Sequence, residues 1–142
     1  TDNGHDTHPE AFSNEWLSAS EVSDIAVLGF PAKPGQSAAP QVQDAALDYW
    51  RRIRELYQQD FGTKYLSPGL IKLRPGRMEG DKRRWAFSHD ATTMGGNSGS
   101  VVVSLGNRFA PCGLHFGGRT LARNMSHDVT KIDLDHDLVA QF

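Results

Sequence analysis

The chain has 142 residues, 38% hydrophobic and 23% charged, enough for one domain with its own core and too apolar for a disordered segment. Fifteen Lys and Arg against 17 Asp and Glu leave a net charge of −2, so no nucleic-acid partner is expected. The chain holds no run of about 18 apolar residues to cross a membrane and no recognisable leader, so no membrane partner is expected either. Cys112 is the single cysteine, which rules out an intrachain disulfide and slightly favours a reducing cytoplasm as the compartment.

Residues 1–21 read as an irregular, acidic lead-in with Asp2, Asp6, Glu10 and Glu15, and residues 22–142 as the folded domain. Phe12, Trp16 and Leu17 are the apolar exceptions, expected to pin the lead-in to the domain. His5 and His8 beside Asp6 suggest a metal site, but lone histidines in a polar terminus are more often solvated. No metal or other cofactor is expected.

Asp24 to Pro31 is a short apolar run stopped by Gly29 and Pro31, which suits a buried strand. Lys33 to Pro40 is a loop rich in Pro, Gly, Ser and Ala. From 41 to 61, Val42, Ala45, Ala46, Tyr49, Ile53, Leu56 and Tyr57 recur at helical spacing, with Gly62 placed as a C-cap. Asp48, Arg51, Arg52, Arg54, Glu55 and Gln58 occupy its other face, as on a surface helix covering part of a core. Short strands follow: Leu66 to Leu73 with a turn at Ser67-Pro68-Gly69, then Trp85 to His89, Ser100 to Leu105, Pro111 to Phe116 and Asn124 to Ile132. This mainly β pattern predicts an antiparallel barrel or sandwich with one inserted helix. The basic group Lys72, Arg74, Arg77, Lys82, Arg83 and Arg84 is broken by Glu79 and Asp81 and reads as a solvated loop rather than a polyanion site.

The stretch that carries chemistry is Gly95-Gly96-Asn97-Ser98-Gly99-Ser100, followed by Val101-Val102-Val103. A serine hydroxyl that attacks a carbonyl creates an oxyanion, which backbone N–H groups in a tight turn must meet. Gly96 allows one N–H to point inward, Ser98 supplies a second, and Gly99 lets the chain turn back into a strand. A Gly/Ser-rich hairpin without chemistry has the same composition. The Gly-x-Ser-x-Gly elbow of α/β-hydrolases does not fit, because Ser100 takes its last position and an extended Val run replaces the helix.

His89 to Ser100, taken with Gly113-Leu114-His115-Phe116-Gly117-Gly118, closely resembles the chymotrypsin-fold (trypsin-like) serine proteases, and most of all the bacterial branch that includes the glutamyl endopeptidases. Val27 to Ala32 resembles the strand that opens the second barrel in that branch, and the helix with Tyr65 to Gly69 looks like an insertion in some members. The resemblance spans roughly residues 22–132. It implies a six-stranded antiparallel β-barrel, the second of two, with Ser98 as nucleophile and an oxyanion hole at Gly96, Asn97 and Ser98. It further implies Thr93 and His115 in the primary specificity pocket and Phe116, Gly117 and Gly118 as the strand that pairs with a peptide substrate. A hydroxyl and an imidazole suit Glu or Gln at the cleaved residue. Met94 stands where close relatives carry a small residue.

The nucleophile needs a base held by a third group. In the family these lie on the first barrel, ahead of the segment resembling Gly29-Phe30-Pro31, and 28 residues are too few for another barrel. Asp24 serves better as the lead-in to a strand than as a triad aspartate, His5 and His8 lack the expected surroundings, and His89 falls on a pocket-wall strand. The expectation is therefore the C-terminal half of a serine endopeptidase, acting on peptides or proteins after pairing with an N-terminal fragment that carries His and Asp. The alternative is an inactive pseudoprotease module that binds a peptide or partner protein.

Overall fold

In a computed structural model of the chain, the structure describes residues 15–32, 48, 51, 52, 55, 62–119 and 123–133. Six strands, β1 (Asp24–Gly29), β2 (Tyr65–Leu73), β3 (Ala86–His89), β4 (Val101–Ser104), β5 (Pro111–Arg119) and β6 (Arg123–Asp128), precede a short helix α1 (Val129–Asp133). Their spatial order is β1-β2-β3-β6-β5-β4, closed by β4 against β1, with every pairing antiparallel. Closure removes most of the exposed edges that an open sheet of this size would leave.

Alternation sets the two faces of each strand. Ile25, Val27, Phe87, Val102 and Cys112 fill the barrel interior and are fully or almost fully buried. Ala19 and Val22 close one end of that core, and Leu17 packs against it, its N–H donating to the Pro111 carbonyl at 3.0 Å. Trp16, by contrast, is 52% exposed. Leu17, with Ala19 and Val22 after it, anchors this segment to the core. Phe12, His5 and His8 lie outside the described residues.

Several strand ends shift by one to three residues, β5 running on to Arg119 rather than stopping at Phe116, and two differences have a clear physical cause. The turn at Ser67-Pro68-Gly69 is instead continuous strand within β2, and the reason is directional. The Leu70 N–H donates to the Asp90 carboxylate at 2.7 Å, away from β1. The Pro68 nitrogen, two residues earlier, faces the same way, before β3 begins to pair at Ile71. A proline there forfeits no ladder bond. The last strand stops at Asp128 rather than continuing to Ile132. Its carboxylate accepts from the Thr130 N–H at 2.9 Å and the Thr130 hydroxyl at 2.6 Å, an N-cap that starts α1.

Most of the helix expected at 41–61 lies outside the described residues. Asp48, Arg51, Arg52 and Glu55, from the face expected to be polar, are helical and exposed, and Arg51 meets Asp48 one turn back at 3.0 Å. The basic segment after β2 is a loop with exposed Arg77, Lys82, Arg83 and Arg84. Within it the Asp81 carboxylate accepts from the Arg84 and Ala86 amides, and Arg84 adopts φ 58°.

Candidate active site

The serine segment is a pair of tight turns between β3 and β4, hydrogen-bonded to its neighbours on three sides. Asn97 N–H donates to the Met94 carbonyl at 3.1 Å and Ser100 N–H to the Asn97 carbonyl at 3.0 Å. Ala32, beyond β1, donates its N–H to the Gly95 carbonyl at 2.8 Å. On the third side, Gly99 N–H donates to the His115 carbonyl at 2.7 Å and His115 N–H to the Ser100 carbonyl at 2.8 Å. The two motifs singled out in the sequence are thus directly bonded.

Glycine is required at two places. Gly96 has φ +93°, and a Cβ there would lie 2.5 Å from the Ala32 nitrogen, so an L-side chain would suffer both backbone strain and a clash. Gly29 ends β1 directly against the side chains of Asn97 and Ser100, leaving no space for a Cβ. Asn97 is buried and its side-chain amide donates to the Met94 carbonyl at 3.2 Å, while Ser98 next to it is exposed. Among the described residues no backbone acceptor takes the N–H of Gly96 or Ser98. A hydroxyl in solvent beside uncommitted amides is the arrangement that nucleophilic attack on a carbonyl uses.

His115 points into the barrel and is 3% exposed. Its ring meets His89 edge-on at 5.5 Å, and His89 Nε2 lies 3.0 Å from the Ser126 hydroxyl. Burial, reinforced by the neighbouring His115, pushes the His89 pKa down to about 4. Burial lowers that of His115 too, partly offset by a hydrogen bond to the Met125 backbone. Both rings are therefore neutral near pH 7. Thr93 is half-buried in the segment between β3 and the serine turns.

Beyond His115 the register of β5 slips by one residue at Phe116, leaving Gly117 opposite Met125 and Gly118 opposite Asn124 on β6. On its other side β4 pairs no further than Leu114, and the serine turn ends the contact at His115. Phe116 to Gly118 consequently present a free backbone edge among the described residues, with Phe116 40% exposed. Free edges accept extended peptides by strand addition.

Other candidates fall away. Asp24 opens β1 at the end opposite Gly29, about 16 Å along the strand from the serine turn. Burial pushes the Cys112 thiol up to about 12, with Asp128 adding to the effect, so it is a core residue and not a second nucleophile.

Two features had no signal in the sequence. Ser126 meets His89 through the pairing of β3 with β6. The fully buried Asp128 accepts from the Ser18 hydroxyl at 2.9 Å and the Ala19 N–H at 3.0 Å. Residues more than 100 positions apart meet there, which no local pattern encodes.

The chain is 40% identical over 104 residues to a Lysobacter enzymogenes protein named a probable serine protease. That match takes in 72% of this chain and 26% of the relative, so the chain spans about a quarter of the length of the curated relative it matches. The solved structure of Rv3671c from M. tuberculosis aligns over 94% of this chain and 52% of that one, at 15% identity and a TM-score of 0.48. No family model matches the chain.

Proposed function

We propose that this chain is the nucleophile-bearing half of a trypsin-like serine endopeptidase, similar to the glutamyl-endopeptidase branch. The observation that carries the reading is the exposed Ser98 in a turn that Gly96 permits and that His115 braces through two backbone bonds. Ser98 Oγ attacks the scissile carbonyl, its proton passing to a base. The amides of Gly96 and Ser98 receive the negative oxygen, with Asn97 holding the turn between them. Collapse of the tetrahedral species expels the amine, protonated by the same base, and leaves an acyl-serine that water hydrolyses. The peptide pairs with Phe116, Gly117 and Gly118. Thr93 and the neutral imidazole of His115 offer hydrogen bonds to a Glu or Gln side chain at the residue whose carbonyl is attacked (P1).

The base and its orienting aspartate belong, in this reading, to an N-terminal part of the protease. A surface suited to that part crosses the outside of the barrel. Leu66 stands opposite Leu28, Leu28 opposite Val101, and Val101 opposite Leu114, forming an apolar row whose ends, Leu66 and Leu114, are 48% and 38% exposed. Such a row on a sheet exterior is ordinarily covered. It adjoins the serine turn, which follows from Gly29 and Ser100 being next along β1 and β4.

One observation favours the second reading, a peptide-binding module without catalysis. Among the described residues, no histidine or carboxylate is hydrogen-bonded to Ser98. Labelling of the full-length native protein with a fluorophosphonate separates the two. Labelling that Ser98→Ala abolishes supports the peptidase, and its absence in the native protein leaves the binding module.

A further inference from the structure

β6 is the middle strand of three. Along one side it pairs with β3, which leads into Thr93, and along the other with β5, which carries His115 to Gly118. The groups assigned above to the primary pocket therefore come from opposite neighbours of one strand. Asn124, half-buried near the start of β6, stands opposite His89 on β3 and opposite Gly118 on β5.

The backbone pairing of β3 with β6 stops at His89 and Asn124, and residues 90–94 belong to no strand. The Asn124 side chain carries the attachment two residues further, its Nδ2 donating to the Ala91 carbonyl at 2.7 Å. On the opposite side the same segment is held to β2. The Asp90 N–H donates to the Leu70 carbonyl at 3.2 Å, and the Asp90 carboxylate accepts from the Leu70 N–H at 2.7 Å. Gly69 lies so close to the fully buried Ala91 that a Cβ there would run into its backbone. Ala91 is thus seated against β2, and the carboxamide fixes its distance from β6. At its other end, Oδ1 of Asn124 lies against Gly118, in the space that a Cβ on that residue would need. A carboxamide is short and planar, with donor and acceptor on one rigid group. Wedged between Ala91 and Gly118, it works as a spacer.

We propose that Asn124 is a positioning residue that sets the width of the primary specificity pocket, spacing the segment that carries Thr93 from the strand that carries His115. The assignment rests on the peptidase reading. Thr93 follows Ala91 by two residues and His115 precedes Gly118 by three, so a change in the gap between Ala91 and Gly118 moves the two hydrogen-bonding groups relative to each other. A fixed gap lets a P1 side chain of one length reach both groups at once. A shorter or bulkier side chain leaves one of them without its partner, and that unmet bond is what discriminates between substrates. Asn124 acts through these two walls rather than on the substrate.

The test uses the full-length native protein and one peptide series with Glu, Gln, Asp, Asn or Leu at P1. Asn124→Asp keeps the shape of the side chain and removes the donor to Ala91. In that variant kcat/KM for the best-cut P1 residue falls about fivefold relative to the others, the net worth of one hydrogen bond. The loss falls mainly on KM, and fluorophosphonate labelling of Ser98 keeps its rate. Asn124→Ser, too short to reach Ala91, gives the same result without adding a charge. If Ser98 labels and peptides are cut, but either folded variant keeps the native P1 profile or loses activity equally on every P1 residue, the assignment is overturned. Failure of both variants to fold makes Asn124 a residue of stability alone and overturns it too. If Ser98 does not label in the native protein, the peptidase reading fails separately. Binding of the same peptides, dye-labelled and followed by anisotropy, then decides the role of Asn124: affinities that do not depend on P1, or a dependence that survives in Asn124→Asp, overturn it.

Discussion

The His89 ring stands edge-on to that of His115, with centroids 5.5 Å apart and planes at 62°. Two imidazoles this close inside a barrel favour each other's neutral form, on top of the effect of burial. The folded protein holds the His89 pKa near 4, below its ordinary value of 6.5. The unfolded chain therefore binds the proton more readily, so stability is fully present above about 6.5 and declines as pH falls towards 4. Urea unfolding across that window shows a loss of up to about 3 kcal/mol, and His89→Gln flattens the slope.

His115 carries the corresponding functional prediction. Its pKa, lowered by burial, means that the ring gains charge only below the ordinary histidine range. A cation discriminates a carboxylate from an amide more strongly than a neutral donor does. On the proposed peptidase reading, the ratio of Glu to Gln cleavage at P1 rises as pH falls, and His115→Ala abolishes both the preference and its pH dependence. An unchanged preference in that variant removes His115 from the specificity site.

Gly96→Ala tests the serine turn. The φ of +93° and the 2.5 Å approach to the Ala32 nitrogen force the new Cβ to re-aim the peptide group. The strain is worth about 1–3 kcal/mol. If the Gly96 amide is the oxyanion donor proposed above, its loss slows Ser98 labelling by about 100-fold, with the β-sheet circular dichroism retained.

Asp128 is a buried acceptor for four donors, two from Ser18 and Ala19 and two from Thr130. Asp128→Ala leaves them without their partner and lowers stability by about 3 kcal/mol. Limited proteolysis of the variant cuts first within residues 15–22, the segment this carboxylate ties to the barrel.

The apolar row gives a prediction about assembly. Leu114→Asp places a charge at its exposed end without entering the core, so the barrel keeps its thermal midpoint within a few degrees. If an N-terminal half docks on this row as proposed, the same change in the full-length protein exposes a protease-sensitive connection between halves and lowers Ser98 labelling. Unaltered labelling and sensitivity remove the row as the docking surface.

The sequence by itself determined the alternation of the strands, most of their positions and the serine turn, because these are local. A strand announces itself through neighbouring residues, and a turn through the backbone freedom of Gly96 and Gly99. Local reading failed at Pro68, where only the direction of the Leu70 and Pro68 nitrogens relative to β1 and β3 makes a proline harmless. It failed again after Asp128, where a side chain ends a strand by starting a helix. Tertiary structure alone decided which groups share an environment. The β3–β6 and β5–β6 registers place His89, Ser126 and His115 together, and burial then sets their charge. Folding of the barrel brings residue 18 to residue 128 and the Phe116 ring onto that of His127. Side chains so far apart in sequence interact only once the chain has folded, since burial and stacking depend on distance in space.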